Sequence, residues 1–124
     1  RHFHDRPQDP DASRHGRIRG WAVSDSAGHY RFDTVRPGAY PGNRIAQHIH
    51  LHVIEANRCT YYLDDVEFAD DPLRAGRGEH PSPRGGSGLT QPTLGADGVW
   101  QVRRDVYLGR NLPGYEHCAP STPG

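Results

Sequence analysis

Apolar and polar residues alternate along residues 17–24 (Arg-Ile-Arg-Gly-Trp-Ala-Val-Ser). A period of two is that of a β-strand with one buried face. Asp25-Ser26-Ala27-Gly28 reads as a turn, with Gly28 supplying a positive φ. Residues 29–35 alternate again, so 17–35 predicts a β-hairpin. Pro37-Gly38 ends it, and Pro41-Gly42 follows at once, so Tyr40 is held between two rigid turns. The cleanest alternation is in 47–55, where His48, His50 and His52 fall on one face and Ile49, Leu51 and Val53 on the other. A turn at 56–58 leads to a strand over 60–68, antiparallel to the first and stopped by Asp70-Asp71-Pro72. Residues 69–97 show little periodicity and predict a long loop that covers a site or mediates association. Asp97-Gly98 is a turn signal, 99–108 is the last strong strand, and the flanks are a polar arm (1–16) and a polar tail (109–124). Without a helical period or a repeat, the pattern predicts one all-β domain over 1–124, a sandwich or barrel of short strands.

Composition narrows this picture. With 124 residues and 33% hydrophobic content the core is small, and 15 Gly and 11 Pro favour loops over helices. Fifteen basic and 15 acidic residues cancel to a net charge of +0, which leaves no basic excess for nucleic acid. No transmembrane run is present, so no membrane partner is expected. Every basic residue is Arg and there is no Met, which reads as coding bias rather than chemistry. The chain opens on Arg1, so a truncated N-terminus is expected. No targeting segment distinguishes a cytoplasmic from a secreted protein. Cys59 and Cys118, far apart, are either a disulfide or two buried thiols, and their spacing is not that of a zinc ribbon.

Two imidazoles on one strand face, about 7 Å apart along the chain, can converge on one ion. The bland alternative is a solvated strand with two surface histidines. Tyr40, eight residues before His48, tips the balance, since a phenolate suits Fe(III) while imidazole also suits Cu or Zn. His52 lies a further 6.5–7 Å or so along the strand. It is either an additional ligand or a hydrogen-bonded neighbour, and the second reading is preferred because three donors already fill the space. Asp64-Asp65 and Asp70-Asp71 read as turns and solvated faces, not acid pairs. Tyr61, Tyr62, Trp21 and Trp100 read as half-buried strand residues, and His15, His29, His80 and His117 as exposed.

The run Tyr30-Arg31-Phe32-Asp33-Thr34-Val35-Arg36-Pro37-Gly38-Ala39-Tyr40-Pro41, followed by His48-Ile49-His50, resembles the core motif of the intradiol ring-cleavage dioxygenases, in their protocatechuate-type branch. The similarity extends to residues 62–73, which resemble the family's strand ending in Asp-Pro-Leu, and to residues 102–118, and covers roughly 17–75 and 99–118. The resemblance implies an antiparallel β-sandwich that holds one non-haem Fe(III) through two tyrosines and two histidines. It further implies a catechol-type diol as substrate, cleaved by O2 between the hydroxylated carbons. Carried over, Tyr40 is the retained tyrosine ligand and His48 and His50 are the histidine ligands. The family's other tyrosine falls at or just before Arg1, and without it His2 or His4 would be the substitute. The family's arginine, which steadies substrate charge, falls at Ile45, so Arg44 is its candidate stand-in. Sandwiches of this family commonly pair, which adds a homo-oligomer to the expectations. Two rivals stand beside this reading: a Cu or Zn enzyme on the same scaffold, favoured by His52, and a non-enzymatic binding or interaction domain.

Overall fold

The computed structural model describes residues 18–39, 42 and 45–118. Tyr40, Arg44, His2 and His4 lie outside them. The described chain is all-β: seven short strands and one 3-10 turn, Tyr115–His117. Strands β1 (His48–Ile49), β4 (Val66–Phe68) and β5 (Leu89–Thr90) form a three-stranded sheet in the order β1-β4-β5. Strands β2 (His52–Ile54) and β3 (Thr60–Tyr62) form a second sheet, and β6 (Thr93–Leu94) and β7 (Trp100–Gln101) a third. All pairs are antiparallel except β4 with β5.

The expected pair of strands over 47–55 and 60–68 forms, and each is interrupted at one place. On the turn side His52 faces Tyr62 and Val53 faces Tyr61. On the far side His48 faces Glu67 and Ile49 faces Val66. Between Ile49 and His52 there are two residues, His50 and Leu51. Between Tyr62 and Val66 there are three, Leu63, Asp64 and Asp65. One extra residue in one strand is a β-bulge, which bends the pair and re-aims side chains. Burial reports the same slip. Cys59, Tyr61 and Leu63 are buried at odd positions before the bulge, and Val66 and Phe68 at even positions after it.

The core lies on the turn side. Cys59, Tyr61 and Leu63 pack with Leu51, Val53, Val106, Leu112, Tyr115 and Cys118. Cys59 and Cys118 form a disulfide across 59 residues of chain, which settles the open pairing. Glu55 accepts hydrogen bonds from Tyr61 Oη (2.9 Å) and Tyr115 Oη (2.9 Å), and Arg58 stacks on the Tyr115 ring. Burial, then the bond to Glu55, pushes the Tyr61 phenol up to about 12. The hairpin turn between β2 and β3 is closed by Asn57 at φ 56, in the left-handed region that Asn tolerates.

Other expectations are met only locally. The turn at 25–28 forms, with Gly28 at φ 82 and its N–H bonded to Asp25 O. The flanking segments 18–24 and 29–35 are not paired into strands. Their side chains face outward, with Trp21 85% and Val23 94% exposed. Tyr30 is tied down, its hydroxyl donating to Arg104 O at 2.6 Å. The 69–97 segment is not structureless, because it carries β5 and β6. The strand expected over 99–108 is reduced to Trp100–Gln101.

Candidate metal centre

The bulge divides the hairpin into a core end and a polar end. At the polar end, directly opposed residues share a face, so His48 stands with Glu67 and His50 with Asp65. The two imidazole rings lie 4.9 Å apart at an interplanar angle of 77°. His48 Nδ1 sits 2.8 Å from Ala46 O. His50 Nδ1 sits 2.9 Å from Asp65 Oδ1. A backbone carbonyl only accepts, so His48 donates from Nδ1, and a neutral ring in this tautomer has its lone pair on Nε2. The carboxylate beside His50 favours the same arrangement there.

Ligand atoms of His48, His50 and Asp65 all fall within 4.8 Å of one another, a spacing that one ion can span. His48 and Asp65 are half-buried and His50 is exposed. The donor chemistry fits a metal: two imidazoles with defined tautomers and one carboxylate. His52, one bulge away in β2, is exposed and does not belong to this cluster.

Neighbouring groups hold the polar end in place. Arg36 reaches Asp70 with two bonds (2.6 and 2.9 Å), and its Nε meets Gln47 Oε1 at 2.5 Å. Gln47 N–H donates to Asp71 Oδ2 at 2.7 Å. These contacts fasten the approach to β1 onto the end of β4. Glu67 is fixed by the buried Arg74 at 2.5 Å. A polar cavity of about 30 Å³ lies against Asp65, lined also by Glu67, Arg74, Glu79 and His80. It has room for about one water and none for an aromatic ring.

Alternation along 47–55 puts His48 and His50 on one face, and their rings do lie side by side, but it does not single out Asp65. The Asp64-Asp65 pair is not simply a solvated face. Asp64 Oδ1 accepts the Arg84 N–H at 2.9 Å, and Asp65 bonds His50. The sequence signal for it is the change of apolar parity between Leu63 and Val66, which marks the extra residue that turns Asp65 onto the histidine side.

The cluster of two histidines and one carboxylate is compatible with metal binding. Comparison with known proteins sharpens that. The protocatechuate 3,4-dioxygenase beta chain of Burkholderia cepacia is 36% identical over 77 residues, covering 58% of this chain and 31% of that protein. The chain thus spans about a third of the relative's length. The match supports an intradiol-dioxygenase-like relationship. No family model matches the chain, and no solved structure matches it significantly.

Proposed function

We propose that the chain carries the metal-binding portion of an intradiol-type dioxygenase: an Fe(III) site that takes a catechol-type diol and O2 and yields the ring-opened dicarboxylic acid. The observation that carries this is the pairing of His48 and His50, each with Nδ1 held by an acceptor, in a chain related to a dioxygenase subunit. His48, His50 and Tyr40 would hold the iron, and the ion would supply Lewis-acid activation of the bound diol toward O2. The protein's part is to orient the imidazoles, and Arg44 is the proposed partner for negative charge developing on the substrate. The three small sheets are read as parts of one antiparallel β-sandwich. Pairing with a second chain is part of the proposal, since the relative is a beta chain. The Cys59–Cys118 disulfide supports work in an oxidising compartment, and no described helix is long and apolar enough to cross a membrane.

The test is the visible spectrum and metal content of the iron-loaded protein. One equivalent of iron with a broad tyrosinate-to-iron band, abolished in Tyr40→Phe, is the expected result, together with O2 uptake on a simple catechol. Copper or zinc at one equivalent, with iron refused, would overturn the ferric assignment in favour of the altered-metal reading.

A further inference from the structure

We infer that Asp65 is a positioning residue for His50, and that the bulge at Asp64 and Asp65 is the device that brings it there. The inference rests on the metal reading of His48 and His50 but makes a claim of its own about the protein without metal.

The bulge decides where Asp65 points. If the register of β2 and β3 continued unbroken, His50 would face Asp64. With the register of β1 and β4, His50 faces Asp65. Both descriptions hold around the extra residue, and the two aspartates divide the work. Asp64 is turned to the neighbouring loop, its N–H donating to Arg84 O at 3.0 Å and its carboxylate accepting from Arg84 N–H at 2.9 Å. Asp65 is left on the histidine side, 2.9 Å from His50 Nδ1.

The surroundings are built to hold that geometry. A Cβ on Gly88 would lie 1.8 Å from Asp65 O, so only glycine lets β5 approach the bulge this closely. The buried Arg104 guanidinium spans the same region, donating to Gly86 O (3.0 Å), Gly85 O (3.3 Å) and, at 3.4 Å each, Asp64 O and Arg84 O. With the backbone at the bulge held this way, the Asp65 carboxylate beside His50 selects its Nδ1–H tautomer, aims Nε2 at the ion and makes the imidazole a stronger donor. Direct ligation by Asp65 is the alternative, and it makes the opposite prediction for the metal spectrum.

Two measurements decide the matter. Imidazole ¹⁵N NMR of the metal-free protein at mildly alkaline pH should show His50 as the Nδ1–H tautomer in the wild type. Asp65→Ala should shift it toward Nε2–H while His48, held by Ala46 O, keeps its tautomer. An unchanged His50 tautomer overturns the inference. Titration with Co(II) alone should show Asp65→Asn binding about 10–100-fold more weakly with the band shape preserved, and Asp65→Glu recovering part of the loss. An unchanged affinity, or a changed band shape that marks a lost ligand, overturns it too. A wild type that takes up no Co(II) counts against the metal reading, and the tautomer measurement then decides the role of Asp65 by itself. A thermal melt of each variant shows whether the fold is kept.

Discussion

At the turn end of the hairpin, β2 and β3 and the residues beside them pack Leu51, Val53, Tyr61 and Leu63 into the core, and the disulfide and the Tyr61–Glu55–Tyr115 bonds close over them. Beyond the bulge, β1 and β4 still bury Val66 and Phe68, but the other side of this end carries His48, His50, Asp65 and Glu67. Among the described residues, the same two segments thus make both a cross-linked apolar end and the end that holds the His48–His50–Asp65 cluster. The difference teaches that a single inserted residue separates an apolar, cross-linked end from a polar one. Stabilising contacts concentrate where the side chains are apolar, and the polar end is held at its rim by ion pairs and a glycine contact. Changes at the core end should therefore move stability far more than metal binding, and changes at the polar end the reverse.

The sharpest way to break that comparison is to open the core end. Replacing both cysteines (Cys59→Ser, Cys118→Ser) should cost about 2–5 kcal/mol of unfolding free energy, the range for losing a native disulfide. Urea unfolding measures it, and Co(II) affinity of the still-folded fraction should stay within about threefold of wild type, well inside the loss expected for removing an orienting partner. A collapse of metal affinity in step with stability would mean that the two ends are one unit. Gly88→Ala should act on both ends of the comparison, because the new methyl meets backbone rather than a movable side chain. We expect a loss of about 1–3 kcal/mol, typical of overpacking, with a Co(II) affinity loss like that of Asp65→Asn.

Tyr61→Phe removes one bond to Glu55 and should cost about 1 kcal/mol at neutral pH. The same residue sets an alkaline dependence. Its phenol titrates near 12 in the folded chain against 10.0 ordinarily, so folding favours the protonated form. That contribution is complete below pH 10.0 and is lost as pH rises through about 12. Wild type should lose stability over this range more steeply than Tyr61→Phe, and equal slopes in chemical denaturation would refute the assignment. The smallest effect belongs to His52→Ala. This exposed side chain lies outside the cluster, so stability should change by less than about 0.5 kcal/mol, and the Co(II) dissociation constant should not change measurably. A tenfold weakening would make His52 a ligand after all.

The alternation in 47–55 and 60–68 was enough to predict a hairpin, its histidine face and its apolar face. Local turns were equally legible, because Gly28, Asn57 and Gly98 adopt positive φ for reasons contained in a few neighbouring residues. The segments 18–24, 29–35 and 99–108 show the limit of the same signal. Alternation records which side chains share a face. It does not record whether another strand lies alongside to complete the ladder, and here the exposed Trp21 and Val23 have no such neighbour among the described residues.

By itself, the sequence determined an all-β chain and the placing of His48 and His50 on one strand face, because both follow from a period of two within a few residues. It named two cysteines and two aspartates without assigning their partners. Only the tertiary structure decided that Cys59 meets Cys118 and that Asp65 meets His50, because each depends on registers between segments distant in the chain. The bulge stands between the two kinds of knowledge. Its parity change, from Tyr61 and Leu63 to Val66 and Phe68, is written in the sequence, but its consequence appears only when the opposite strand supplies a histidine for the extra residue to face.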